Sequence, residues 1–391
     1  MRFGLRSKAL CVLLLCGLLF GGPVRPAGAE EIEITAKSAV LLDPVSGAVL
    51  FEKDARLRVE PASVTKIMTL VLALEASDAG KIALEDEVIA SENAYRMGGS
   101  QLYLKPGETL TVREMLLAIA LHSANDACVA MGEHIAGTHE AFVRMMNEKA
   151  VSLGMRDTHF MNAHGIDAAE HYMSAYDVAL LSRYAVNNTD ILNYTSVWEH
   201  WLRDGKTWLV NRNSMLKRYP GMDGLKTGYT TTAKNCLSAT AVRDGLRLIA
   251  VVMGAPSSDI RFKEIRSLLD YGFASYKGLP VIRQGDIVQT VDVMKGKADK
   301  LALAAGSGCT LTVRKGEEPR IEQVVHLDRT PVAPIKIGER IGEMIISLDG
   351  QEAARVELLA AESVGRGNIF LSIYRFAKEM ISPVRSPVVL P

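Results

Sequence analysis

The sequence is poor in the features that mark several large functional classes. It carries five cysteines, 6% aromatic residues, and basic and acidic side chains in equal number, 45 of each. A nucleic-acid-binding chain would show a basic excess, and none is present. A disulfide-stapled secreted domain would be shorter and richer in cysteine. The apolar run from Ala9 to Phe20 falls below the ~20 residues that a membrane-spanning helix needs. What remains is an ordinary globular composition in 391 residues, a length that leads one to expect two folded units.

The short apolar run fits a leader instead. Arg2, Arg6 and Lys8 precede it and the small residues Ala27-Gly28-Ala29 follow, the three-part layout of a secretory signal peptide over residues 1–29, with cleavage expected before Glu30. An uncleaved anchor is the alternative. Cys16 follows leucine and not the small residue of a lipoprotein site, so no lipid attachment is expected there. Loss of Arg2, Arg6, Lys8 and Arg25 would leave 41 basic against 45 acidic residues, a mature chain near minus four. Export would also leave only Cys128, Cys236 and Cys309. They lie far apart in apolar surroundings, which predicts buried free thiols and neither a disulfide framework nor a metal site.

The stretch that organises the rest runs from Pro61 to Glu75. Its apolar residues from Ile67 to Leu74 point in nearly every helical direction, so a helix packed on all sides is expected, with Ser63 in its first turn. Lys66 stands three residues on, hence on the same face. Burial and the positive helix end both disfavour a charged lysine there, and a neutral amine can take the proton of a serine hydroxyl. Ser63 as a helix cap and Lys66 snorkelling to water is the competing reading. Two apolar runs before this helix, Ala39–Leu42 and Ala48–Phe51, predict a β-hairpin.

Further on, Thr111-Val112-Arg113-Glu114 has capping-box form and opens a helix over 115–121. It stops at His122-Ser123-Ala124-Asn125-Asp126, and a second helical pattern begins at Cys128. Ser123 and Asn125 can face a cleft from this turn, or can simply cap helix ends. Residues 138–195 read as mostly helical around a loop at 162–167, where His164 is more readily a structural histidine than a catalytic one. Lys226-Thr227-Gly228 falls on or beside a strand, and Gly228 would admit a substrate backbone to its edge. A strand–Asp244-Gly245–strand hairpin follows, and then a helix carrying Arg261.

Strands early and late with helices between predict an α/β (α+β) unit, an antiparallel sheet covered by helices, over 30–279. Past Pro280 short alternating runs predict a small all-β domain over 280–362. Residues 363–391 form a tail in which Ile369, Phe370, Ile373, Tyr374, Phe376, Ala377, Met380 and Ile381 share one helical face. Such a helix, over 369–381, is ~20 Å long and suits a membrane surface, or docking on the protein itself.

Taken together, Ser63-x-x-Lys66, Ser123-x-Asn125 and Lys226-Thr227-Gly228, in that order on helix, turn and strand, resemble the penicillin-binding proteins and serine β-lactamases. The stretches Pro61–Lys66, Gly224–Gly228, Gly254-Ala255-Pro256-Ser257-Ser258 and Leu269–Phe273 are most similar to the low-molecular-mass serine D-alanyl-D-alanine carboxypeptidases. That resemblance spans the whole mature chain. It implies a penicillin-binding/β-lactamase-like catalytic domain with a helical subdomain, no cofactor and no metal, and hydrolysis of the terminal D-Ala-D-Ala bond of peptidoglycan stem peptides through an acyl-enzyme. Ser63 would be the nucleophile, Lys66 its base and Ser123 a proton relay. Asn125 would hold the substrate backbone. Lys226, Thr227 and Arg261 would hold its terminal carboxylate, and the Ser63 amide with one near Thr230 would form an oxyanion hole. The implied partners are the pentapeptide stem, β-lactams as acylating inhibitors, and the outer face of the cytoplasmic membrane through residues 369–381. Three positions depart from the family pattern: Ala124 within Ser-Ala-Asn, Ala163 before His-Gly, and Lys234-Asn235 after the Lys-Thr-Gly strand. A β-lactamase and an idle penicillin-binding sensor are the alternatives. The glutamate loop motif common in the former is not found between Asn125 and Lys226.

Overall fold

The computed structural model describes residues 32–367; the leader over 1–29 and the terminal helix over 369–381 lie outside the described residues. In chain order, β1 (Ser38–Leu42) and β2 (Val49–Lys53) form the expected hairpin, and a 3₁₀ turn at Ala62–Thr65 runs straight into α1 (Lys66–Asp78). β3 (Glu87–Ile89), α2 (Glu92–Tyr95) and β4 (Thr109–Thr111) lead to the helices α3 (Val112–Leu117), α4 (Asn125–Ala136), α5 (His139–Ser152), α6 (Ala175–Asn188) and α7 (Leu192–Thr195). The hairpin β5 (Glu199–Leu202)–β6 (Thr207–Val210) and the short α8 (Met215–Arg218) then return the chain to β7 (Met222–Thr230), β8 (Lys234–Arg243), β9 (Leu246–Ala255) and α9 (Ser258–Ser275).

These elements build one antiparallel sheet in the order β2-β1-β9-β8-β7, with helices on both faces. Every residue of β1 is buried, which explains its unbroken apolar run: a strand covered on both sides has no wet face to alternate with. α9 packs close on β9. A Cβ at Gly272 would lie 2.4 Å from Leu248 Cδ1, so the missing side chain sets the distance between helix and sheet. α1 is the centre of the helical region, and from Ile67 to Leu74 every residue is buried. At fully apolar positions such burial stabilises by roughly 1.5–3 kcal/mol per side chain.

The capping box at the start of α3 is present in full: Thr111 accepts from Glu114 N, and Glu114 accepts from Thr111 N. The helix then widens into a π turn at Ala118–His122 and ends at Ser123, which takes the left-handed conformation at φ 67°. α4 starts two residues later.

Two readings change. The helical stretch expected over 138–195 is interrupted from Leu153 to Ser174, which holds a β-bridge between His159 and Tyr172 and no helix. Gly154, at φ +73°, ends the helix, and Met155, Phe160 and Met173 are buried singly instead of along one helical face. Second, the strand texture starts before Pro280: β10 (Tyr276–Ile282) follows α9 directly, and Pro280 sits inside it. Proline is tolerated there because β10 pairs only with β13 (Cys309–Arg314) and leaves its other edge free of ladder bonds.

The five remaining strands, β11 (Ile287–Asp292), β12 (Lys300–Ala305), β14 (Ile321–Leu327), β15 (Arg340–Leu348) and β16 (Gln351–Ala360), make a second sheet in the order β11-β12-β16-β15-β14. The alternating burial of β12 and β13 supplies its core, with Leu301, Leu303, Leu311, Met344 and Leu358 inside. Cys128, Cys236 and Cys309 are all buried and free, as expected. No helix among the described residues is long and apolar enough to cross a membrane.

Candidate active site

Three separate segments meet around the amine of Lys66. Ser63 leaves the 3₁₀ turn one helical turn before it, with Oγ 2.9 Å from Lys66 Nζ. Nζ also donates to Asn125 Oδ1 at 2.7 Å and to the carbonyl oxygen of His164 at 2.5 Å. Lys66 is fully buried, so it does not snorkel, and no side-chain capping bond is made by Ser63 or at the start of α4. Burial pushes the amine down to about 8, against a smaller opposing pull from neighbours that include Asp126.

The arrangement has a directional consequence. A neutral amine has two N–H donors and one lone pair. The His164 carbonyl can only accept. The Asn125 amide is oriented by its other end, where Nδ2 donates to Gly98 O at 2.7 Å, so Oδ1 faces Lys66. Both N–H bonds are thereby committed, and the lone pair is left pointing at Ser63 Oγ. That is the geometry of a general base beside its nucleophile.

Each partner is held in turn. Asn125 N donates to Ser100 O at 2.7 Å, and Asp126 accepts from Leu102 N and Leu104 N at 3.1 Å each, pinning the segment after Gly98-Gly99-Ser100 to the start of α4. The loop bearing His164 is clasped to α1 by Thr69 Oγ1, which donates to Ala163 O at 2.6 Å. His171 joins the two from below: its Nδ1 accepts from Met161 N at 3.0 Å and its Nε2 lies 2.9 Å from Thr65 Oγ1. Burial holds His171 near 4 and His164 near 2, so both rings are neutral. The His164 ring does not reach Lys66 by any hydrogen bond. Its contribution is the backbone carbonyl, and nothing in the residue type announces that.

Ser123 completes the wall. It is 5% exposed, in the strained left-handed region, and its Oγ has no hydrogen-bond partner among the described residues. Such a hydroxyl is free to exchange a proton with a ligand.

The opposite wall is β7, the sheet's edge. Lys226 is buried with Nζ 3.1 Å from Thr227 O, and burial together with repulsion from Lys66 holds it well below the ordinary lysine range. An arriving carboxylate would reverse that shift, since an opposite charge favours the ammonium. Gly228 also lies against the nucleophile's turn: a Cβ there would be 3.0 Å from Pro61 O and 3.1 Å from Ser63 N, so the glycine lets the Ser63 turn pack closely on the strand. Arg261 reaches beneath this edge from α9, donating to Gly228 O at 3.2 Å and Cys236 O at 3.4 Å. It therefore braces the strand as well as adding positive charge. Thr230 Oγ1 donates to Asp167 Oδ1 at 2.8 Å, tying the far end of β7 to the His164 loop.

The sequence reading passed over Arg212. It is exposed, makes no ion pair among the described residues, and is close enough to depress Lys226 and His122 electrostatically. No motif flags it; an arginine after a short strand is common. Among the described residues no cluster of three or more histidine, cysteine or acidic side chains is placed to hold a metal ion.

A serine hydroxyl beside a buried lysine amine, an unpartnered second serine and a cationic strand edge have the form of a penicillin-recognising serine hydrolase site. The family model described as D-alanyl-D-alanine carboxypeptidase matches residues 25–257, and that of the C-terminal domain of penicillin-binding protein 5 matches residues 276–366. The chain belongs to the D-alanyl-D-alanine carboxypeptidase family and is a serine-type peptidase. It is 40% identical over 350 residues to D-alanyl-D-alanine carboxypeptidase DacF of Bacillus subtilis, an alignment that covers 88% of this chain and 90% of that protein. Among solved structures it is similar to penicillin-binding protein 5 of Haemophilus influenzae, with 31% identity, a TM-score of 0.67, and coverage of 87% of this chain and 100% of that one. It is also similar to penicillin-binding protein D2 of Listeria monocytogenes in its ampicillin-bound form, with 31% identity, a TM-score of 0.58, and coverage of 62% and 100%.

Gly165 offers a test of the clasp. It sits at φ +85°, and a Cβ there would lie 1.8 Å from Ala62 O, so Gly165→Ala must push the His164 loop off the Ser63 turn. Acylation by labelled penicillin is expected to slow on the order of 100-fold, the usual scale for an ångström-sized misplacement of a reacting group.

Proposed function

We propose that Ser63, activated by Lys66, removes the terminal D-alanine from peptidoglycan stem peptides ending in D-Ala-D-Ala. The single observation that carries this is the buried Lys66 amine 2.9 Å from Ser63 Oγ with two fixed acceptors on its other sides. Ser63 Oγ bonds to the carbonyl carbon between the two D-alanines as its proton passes to Lys66 Nζ. The resulting oxyanion is received by the Ser63 amide and an amide of β7 near Thr230. Collapse breaks the C–N bond as Ser123 Oγ gives its proton to the departing D-alanine amine and takes the one held by Lys66 in its place. Water, giving a proton to Lys66, then attacks the ester carbonyl, and that proton returns to Ser63 Oγ as the acid leaves. Asn125 keeps one Nδ2 hydrogen for the substrate backbone after bonding Gly98 O. Lys226, Thr227 and Gly228 at the strand edge, with Arg261 beneath it and Arg212 at its rim, receive the free carboxylate. β-Lactams present a similar carbonyl and carboxylate and would acylate Ser63.

The protein would work outside the cytoplasmic membrane, after removal of residues 1–29. Residues 30–275 would be its catalytic unit, 276–367 its β-rich unit, and the remainder a tail that rests on the membrane surface through 369–381. An idle sensor would not need so complete a base and relay. A β-lactamase would deacylate its drug quickly.

Purified protein should release D-alanine from a D-Ala-D-Ala-ended tripeptide and take up labelled penicillin, with Ser63→Ala reduced to background in both. Rapid turnover of benzylpenicillin with the peptide untouched would instead identify a lactamase. The acylation rate should climb about tenfold per pH unit and level off above about 8, because Lys66 must shed its proton before it can accept another. A profile flat from pH 6 to 9 would remove Lys66 from the role of base. For the tail, Val364 and Arg366 still bridge to the β-rich unit, so a chain ending at Gly367 is the correct truncation. It should partition into the soluble phase when mixed with anionic vesicles, whereas the chain carrying residues 368–391 sediments with them.

A further inference from the structure

All three tryptophans of the chain, Trp198, Trp201 and Trp208, fall within eleven residues. Trp201 and Trp208 pair directly across β5–β6, their rings 6.0 Å apart and tilted by 22°. They are 56% and 54% exposed. Large aromatic rings displayed in this way need an explanation. Holding the hairpin down does not supply one. Leu202 and Leu209, on its other face, are buried, and Arg203 ties the turn to Glu108 and to Leu102 O. The tryptophans point the opposite way, into solvent.

Their position is specific. Trp208 lines a groove of about 380 Å³ together with His122, the residue before Ser123, and Arg212, whose charge is felt at Lys226. Glu199 accepts from Trp208 Nε1 at 3.2 Å, Lys217 Nζ lies 5.7 Å from the centre of the Trp198 ring, and Asp204, Lys206 and Arg212 are exposed on the same stretch of chain. A narrow aromatic strip in a polar frame lacks the ~1,000 Å² of contact that a stable protein partner requires. Its charges are mixed, Glu199 and Asp204 beside Lys206 and Lys217, so no field of one sign marks it for an anionic lipid surface. The strip does match a pyranose ring, whose C–H faces are apolar and whose edge carries hydroxyl and amide groups.

We propose that the outer face of β5–β6 is a shelf for the glycan strand of peptidoglycan, on which N-acetylated sugars stack against Trp201 and Trp208 while a stem peptide occupies the cleft. This rests on the substrate proposed above. The shelf would favour stems still attached to glycan over free peptides, with no effect on the chemistry at Ser63.

The test uses the full chain, the double variant Trp201→Ala/Trp208→Ala and the milder Trp208→Leu. Three probes are needed: a free D-Ala-D-Ala tripeptide, pentapeptide-bearing glycan strands, and glycan oligomers stripped of peptide. Because every tryptophan lies here, intrinsic fluorescence reports on this surface. Peptide-free oligomers should shift it in the wild type. The double variant should keep kcat/KM for the tripeptide within about twofold and lose about tenfold on glycan strands, with Trp208→Leu in the same direction at an unchanged melting temperature. Equal losses on both substrates, no fluorescence response to oligomers, or a response to phosphatidylglycerol vesicles alone would each overturn the shelf. Oligomer binding by a protein that leaves the tripeptide intact would support the shelf while removing the proposed activity.

Discussion

The structure depends on keeping one lysine amine in a dry interior. An ammonium taken out of water costs several kcal/mol unless it is fully hydrogen-bonded, and Lys66 is fully buried. Three oxygens meet that need, and they come from places far apart in the chain: Ser63 from the preceding turn, Asn125 from the start of α4, and His164 from the long loop before α6. The apolar surroundings that make the amine expensive also make it basic chemistry at ordinary pH, since the same desolvation brings it down to about 8. Stability and reactivity are set here by one term of opposite consequence.

Much of the surrounding fold can be understood as support for those three oxygens. α1 supplies an apolar sleeve. The Thr69 hydroxyl and the His171 ring fasten the loop that carries the His164 carbonyl. Asp126 fastens the segment that orients Asn125. Two glycines sit where backbones come close: Gly165, where a Cβ would lie 1.8 Å from Ala62 O, and Gly228, where it would lie 3.0 Å from Pro61 O. Ser123 stands slightly apart, in a left-handed conformation imposed where a π turn gives way to α4, with its hydroxyl unspent. Strain and an unsatisfied polar atom coincide at that one residue.

The β-rich unit is built on a different plan. Its core is assembled from alternating residues of packed strands, its surface carries ion pairs such as Arg355 with Glu343 and Glu352, and none of the residues around Lys66 comes from it. Exposed pairs of this kind contribute little to stability. The unit follows α9 without a linker, so the strand that begins it is the direct continuation of the helix that carries Arg261.

The sequence by itself determined the local chemistry. A serine and a lysine three apart on a buried helix, a capping box at Thr111, a turn at Asp43–Gly47 and a hairpin at Asp244-Gly245 all rest on interactions within a few residues, and each is readable from residue type and spacing. The three motifs, in order, were enough to name a family. Only the tertiary structure decided what the helical pattern concealed between Leu153 and Ser174, where burial of isolated apolar residues replaces periodicity. It alone showed that the His164 carbonyl, and not its ring, reaches Lys66, that Gly228 lies against the Ser63 turn, that Arg261 bonds strand carbonyls and that Arg212 is close enough to act on Lys226. The reason is physical: backbone atoms have no letter of their own in a sequence, and the charge felt at a buried amine comes from segments as far apart in the chain as Lys66 and Lys226, which no local pattern encodes.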